Sequence, residues 1–243
     1  MLPLLIASQN SGVAMPSVFA LVPARGGSTG IIQKNIQPLL DQPLLAYTLN
    51  AAHASGVVDA VYVSSDDDQI LAMAHYYGAE RIKRDHHLAR DDSPLDPVVG
   101  EFIHRIKPAG KDIVILLQPT SPLRTAKHIV EALAEYRDFP CCRGLISVYE
   151  ISNQYRRAYV GGNEFLQLLA GEHASLMHRE ALPSLYMPND AIAIFKVDDF
   201  LREEAIPHSH LIPYLMSETE SLKIHTEDDI KRAEAYLRNQ AQQ

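Results

Sequence analysis

Cysteine is scarce in this chain: Cys141 and Cys142 are the only two among 243 residues, and they are adjacent. A disulfide between neighbours is strained and rare, and no C-x-x-C spacing exists to hold a metal. The pair therefore reads as reduced thiols, in keeping with a cytoplasmic protein. Positive charge is short as well, with 22 Lys and Arg against 30 Asp and Glu and a formal net charge of -8. No surplus of cations is available to neutralise a nucleic-acid backbone, so general nucleic-acid binding is excluded. An anionic ligand has to be met by a local basic pocket instead. No apolar run approaches the roughly 20 residues of a membrane span. Met1–Ala14 begins apolar but lacks a basic n-region, which argues against a signal peptide. Residues 1–16 read as an extension without an assigned role, and 17–243 as one domain with a single large core.

What is present is concentrated in Val18–Asn35. Val18-Phe19-Ala20-Leu21-Val22 has the length and character of a buried parallel strand, and Pro23, which has no N–H to donate, ends it. Ala24-Arg25-Gly26-Gly27-Ser28-Thr29-Gly30 follows. Its three glycines permit tight turns whose N–H groups converge, the usual way to cradle phosphate oxygens. Arg25 before the turn and Lys34 after it add two cations. Neither the G-x-G-x-x-G spacing of a dinucleotide fold nor a G-x-x-x-x-G-K-[ST] loop can be traced here. The turn is a phosphate site of another kind.

Strands and helices then alternate, the pattern of an α/β fold. Helices are expected from Pro43 to the stop at Gly56, from Asp68 to Gly78, over Pro97–Arg105, over Ala126–Tyr136 and over Asp198–Glu204. Strands are expected at Ala60–Ser64, Ala79–Lys83, Gly144–Tyr149 and Ala191–Val197. Ile113–Leu117 is the most apolar run and reads as a central strand buried on both faces. Pro207–Pro213 reads as a loop, and residues 150–187, where periodicity breaks down, as an inserted lobe. Asp66-Asp67-Asp68 stand at a helix start and read as caps and dipole partners.

Three segments carry a resemblance. P-A-R-G-G-S-x-G-x-x-x-K-N is formed by Pro23, Ala24, Arg25, Gly26, Gly27, Ser28, Gly30, Lys34 and Asn35. L-Q-P-T-S-P-L-R runs complete from Leu117 to Arg124. The segment Arg84–Asp91 resembles R-P-x-x-L-A-x-D, matching at Arg84, Leu88, Ala89 and Asp91 with Asp85 in place of the proline. Together they resemble the acylneuraminate cytidylyltransferases, sugar nucleotidyltransferases that activate a nonulosonic acid with CTP and release pyrophosphate, and the likeness spans about Val18 to Leu237. It implies a three-layer α/β/α nucleotide-diphospho-sugar-transferase-like fold, a mostly parallel sheet, and a homodimer built through the lobe. It implies Arg25 and Lys34 on the phosphates, with Ala24, Gly26, Gly27, Ser28, Asn35 and Arg84 binding the nucleotide. Gln118, Arg179 and Tyr186 would bind the acidic sugar, Arg179 from across the dimer. Arg124 reads as a structural arginine.

Four departures stand out. Thr29 replaces the family's lysine, and Asp190 a glycine beside the pocket. Lys223 and His225 stand where the family holds magnesium with two aspartates. Magnesium is thus a cofactor the resemblance implies and these residues oppose. Beside an active cytidylyltransferase, two readings stay open: a divergent member with another sugar, nucleotide or metal arrangement, and a non-catalytic binding homologue.

Overall fold

Alternation along the first strand sorts the chain into layers, because successive residues of a strand face opposite sides. In the computed structural model, which describes residues 15–27, 30–90, 93–161, 165–169 and 183–240, β1 is Val18–Pro23. A small hairpin, β2 (Pro38–Leu39) with β3 (Gln42–Pro43), leads into α1 (Leu44–Ser55). Next come β4 (Ala60–Ser65), α2 (Asp68–Tyr76), β5 (Glu80–Lys83), α3 (Asp96–Ile106) and β6 (Ile113–Leu116). They are followed by α4 (Ala126–Asp138), β7 (Gly144–Ile151), the hairpin β8 (Tyr159–Gly161) with β9 (Leu166–Leu168), and β10 (Leu185–Lys196). The chain closes with α5 (Val197–Glu203), β11 (Leu211–Leu215) and α6 (Glu227–Gln240).

Val18, Ala20 and Val22 pack into a core with Leu45 and Leu49 of α1, Ile70 of α2 and Ile129 of α4. Leu21 faces the other way, onto Val99 and Phe102 of α3 and Phe200 of α5. The result is the α/β/α sandwich expected from the sequence. Phe102 is fully buried, and truncating such a side chain to alanine costs about 3–5 kcal/mol. A third cluster joins α6 to the front of the molecule through Ile31, Leu39, Leu123 and Ile224.

The seven-stranded sheet runs β11-β7-β10-β6-β1-β4-β5. β6 lies at its centre and is buried along its whole length. The β6-β1-β4-β5 block and the β7/β11 pair are parallel; β10 is antiparallel to both its neighbours. Local chemistry sets the helix ends. Gly56 takes the left-handed conformation (φ 64°) that stops α1. Asp67 accepts from the N–H groups of Gln69 and Ile70 at the start of α2, as a cap should.

Two expectations are corrected. The segment 207–213 is not all loop: β11 begins at Leu211 and pairs with β7. Pro213 masks it in the sequence, yet an edge strand tolerates a proline whose missing donor faces away from the ladder. The strand expected at Ala191 starts six residues earlier, at Leu185, and Leu185–Pro188 pair with residues 148–151 of β7 across a register shift between Pro188 and Ala193. The apolar pattern breaks there at Asn189 and Asp190, which lie in the bulge between the paired residues Pro188 and Ala193. The base of the 150–187 lobe is therefore a continuation of the main sheet.

Candidate active site

Helices α1 and α2 carry the chain from β1 through β4 to β5 on one face, and α3 returns it across the other face to β6. The winding reverses between β1 and β6, and the crevice at the carboxyl ends of such strands is where doubly wound folds take ligands. A cleft of about 270 Å³ opens there. The turns after β1 and β6 form two of its walls.

The glycine turn is held from behind. Ala24 is buried and its N–H donates to the Ser64 carbonyl at 2.9 Å, which extends the β1/β4 pairing by one residue. The Gly26 N–H donates to the Asp66 carboxylate at 2.9 Å, and a Cβ on Gly26 would lie 2.7 Å from Asp67 Cβ. Asp66 thus anchors the turn, a role distinct from the helix cap made by Asp67. Gly30 has its own reason: a Cβ there would sit 2.7 Å from the His225 carbonyl oxygen. Asn35, buried in the one-turn helix Lys34–Ile36, donates from Nδ2 to the Arg25 carbonyl at 2.9 Å.

Arg25, Gly27, Lys34, Asn35, Arg84 and Gln118 all line the cleft. Burial pushes the Lys34 ammonium below its ordinary pKa, the Arg25 charge pushes it further, and Asp229 pulls it partly back. An incoming anion relieves that crowding of cations. Arg84 is buried and donates from Nε and Nη2 to the hydroxyl and carbonyl of Ser64 at 3.1 and 2.8 Å. It therefore ties the end of β4 to the end of β5 while its edge faces the cleft. Tyr186 lies outside the cleft, on the exposed part of β10 opposite Glu150. Ser28, Thr29, Asp91 and Arg179 lie outside the described residues. Arg90, which the sequence motifs did not single out, also lines the cleft, and its carbonyl accepts from Arg25 at 2.9 Å. The signal for it was its place within the Arg84–Asp91 segment.

Arg124 does not reach the ligand space. Its guanidinium is completely buried and donates to the carbonyls of Gln118 (3.2 Å) and Ala191 (2.8 Å) and to the Thr48 hydroxyl (2.6 Å). Desolvation pulls its pKa down to about 9. It clamps the turn after β6 to the bulge of β10. Asn189, also buried, adds to that clamp by bonding Ser147 and Ser221.

Another wall of the cleft holds the departures. Lys223 and His225 both line the cleft, and Lys223 Nζ forms an ion pair with the carboxylate of Asp190 across it. A hard dication needs several convergent oxygen donors. Among the described residues no three His, Cys, Asp or Glu side chains converge, and the cleft carboxylate of Asp190 is committed to an ammonium. This donor set does not fit a protein-held magnesium ion.

A cationic cleft at the topological switch point of an α/β sheet has the charge and the place that suit an anionic ligand. Residues 19–240 match the family described as Cytidylyltransferase, and the chain belongs to that family. It is 32% identical over 219 residues to the N-acylneuraminate cytidylyltransferase of Escherichia coli O18:K1:H7 (strain RS218 / NMEC), covering 89% of this chain and 51% of that one. It is 27% identical over 229 residues to the post-translational flagellin modification protein B of Campylobacter coli, covering 92% of this chain and 96% of that one. The chain spans about half the length of the N-acylneuraminate cytidylyltransferases from Escherichia coli and Streptococcus agalactiae that it matches. Among solved structures, a CMP:2-keto-3-deoxy-manno-octonic acid synthetase complexed with CTP shares the fold at a TM-score of 0.71 and 16% identity, covering 92% of this chain and 99% of that one. A 4-diphosphocytidyl-2C-methyl-D-erythritol synthase does so at 0.64 and 13%, covering 91% and 98%.

Proposed function

We propose that the protein is a cytidylyltransferase that joins CTP to a sialic-acid-like nonulosonic acid, giving the CMP-sugar and pyrophosphate, in the cytoplasm and in the service of cell-surface polysaccharide synthesis. The observation that carries this reading is the cationic cleft at the β1/β6 switch point, in a chain of the cytidylyltransferase family. In the reaction, the anomeric hydroxyl oxygen of the sugar forms a bond to the α-phosphorus. The bond from that phosphorus to the bridging oxygen breaks, pyrophosphate leaves with the electron pair, and the hydroxyl proton passes to solvent. Catalysis of this kind is mostly positioning and charge stabilisation. Arg25 and Lys34 hold the phosphates, and Gly27 and Ser28 supply backbone N–H donors, while Ala24 and Gly26, whose own N–H groups bond Ser64 and Asp66, hold the turn in shape. Asn35 and Arg84 shape the nucleoside end, and Gln118 with Arg179 meets the sugar acid; Tyr186, outside the cleft, is left without a part in it. A guanidinium pairs bidentately with a carboxylate, which suits Arg179 to that task.

The protein acts as a homodimer through the 150–187 lobe. Tyr159, Phe165, Leu166 and Leu169 are large apolar side chains exposed on and beside the β8/β9 hairpin, and exposed apolar clusters of this kind favour association. Sedimentation at micromolar concentration is expected to show a dimer; a monomer would remove the interface. No helix among the described residues is long and apolar enough to cross a membrane. The deciding assay is pyrophosphate release with CTP against other nucleotides over a panel of nonulosonic acids. Turnover with CTP and one acid supports the reading; no turnover with any pair, despite nucleotide binding, favours a non-catalytic homologue.

A further inference from the structure

We propose that the cleft meets the charge of a bound polyphosphate with the Lys223 ammonium instead of a protein-held dication, and that Asp190 keeps this ammonium poised at the wall until the anion arrives. The inference rests on the nucleotide reading above and deepens it.

Three observations converge. First, the described residues lining the cleft carry five fixed cations, Arg25, Lys34, Arg84, Arg90 and Lys223, against the single carboxylate of Asp190. That surplus is placed for a multiply charged anion and needs no metal to create it. Second, Lys223 rides on a rigid segment. The buried Ile224 donates from its N–H to the Thr120 carbonyl at 2.8 Å, which ties the segment to the turn after β6. On the other side, Gly30 of the glycine turn packs directly against the His225 carbonyl. Lys223 therefore sits between the two turns that frame the ligand space.

Third, the partner of Lys223 is held in an unusual conformation. Asp190 has φ 56° within the bulge of β10, a left-handed backbone that aspartate adopts more readily than most residues but still at a cost. Its carboxylate pairs with Lys223, and both side chains remain partly open to solvent, at 40% and 27% exposure. A partly exposed ion pair has little net stability to lose. Trading the Asp190 oxygen for a phosphate oxygen is therefore cheap, and an ammonium with three donors can serve both for part of the exchange. The carboxylate that would by itself oppose an anionic ligand is neutralised by its own neighbour.

The test titrates the full-length protein calorimetrically with CTP and, separately, with inorganic tripolyphosphate, each in EDTA and in excess magnesium. Both ligands are expected to bind in EDTA with dissociation constants within about threefold of those in magnesium. Lys223→Ala should weaken both in EDTA by about tenfold or more, the scale of one charge-assisted hydrogen bond. Asp190→Asn should tighten tripolyphosphate a few-fold, because the competing carboxylate is gone. Binding that appears only with magnesium overturns the inference and leaves the nucleotide reading standing. Unchanged affinity in Lys223→Ala, with thermal stability lowered as much as in Asp190→Asn, marks the pair as a structural latch and also overturns it. If tripolyphosphate binds in EDTA through Lys223 while CTP does not bind under either condition, the assignment of Lys223 holds and the nucleotide reading falls.

Discussion

Replacing Arg124 should separate charge from packing more sharply than any other change in the molecule. The side chain is 2% exposed, makes three hydrogen bonds, and leaves its Nε without a partner among the described residues. Removing the guanidinium strands the Gln118 and Ala191 carbonyls and the Thr48 hydroxyl. Each buried group left unsatisfied costs about 1–3 kcal/mol. Against this, burial has already depressed the arginine's pKa to about 9, and an apolar replacement recovers that desolvation. For Arg124→Met the two terms leave a net loss of about 2–4 kcal/mol, since well-packed apolar groups often replace buried ions at modest cost. Arg124→Lys keeps the charge, replaces a rigid fork with a more strongly hydrated ammonium, and satisfies fewer of the three acceptors. Its loss should be the larger, about 3–5 kcal/mol. At about 2–4 °C per kcal/mol for a domain of this size, the melting temperature should fall by roughly 4–16 °C in the first variant and 6–20 °C in the second. Differential scanning calorimetry near pH 7.5 measures both. A lysine variant more stable than the methionine variant would refute the reasoning.

Three further outcomes follow from the site and its supports. Arg25→Ala should weaken CTP binding by at least roughly 1.5–3 kcal/mol; unchanged calorimetric affinity in a folded variant would take the glycine turn out of the site. Gly30→Ala should lower CTP affinity several-fold with little change in melting temperature, because a Cβ 2.7 Å from the His225 carbonyl must displace one of two site segments; equal affinity would show the two to be independent. His128 Nδ1 accepts from the Thr125 N–H in the capping box of α4, and burial, ahead of the opposing pull of Glu220, holds its pKa below 6.5. The unfolded chain therefore takes up the proton first, and stability is lost as pH falls below about 6.5. Melting temperature should drop more between pH 7 and pH 5 than in His128→Gln, whose amide keeps the capping box without titrating; equal slopes would refute it.

Much of the fold was legible in the sequence because each element repeats one physical rule along its own length. The all-apolar run at Ile113 could only be a strand covered on both faces, and it lies at the centre of the sheet. Gly56, Asp67 and Pro97 marked helix ends through backbone chemistry that needs no distant partner. The glycine turn with its flanking cations reads as an anion site for the same reason, and both cations line the cleft. Signals failed where a strand depends on its neighbour: β11 carries a proline that only its edge position permits, and β10 is interrupted by a bulge that only pairing with β7 defines. The cleft was decided elsewhere still. Asp190 and Lys223 are 33 residues apart, and each read alone departs from the family pattern. Only the bulge of β10, laid beside the segment anchored by Ile224, brings the two charges into contact. Electrostatic energy falls with distance in space, and distance along the chain carries no information about it.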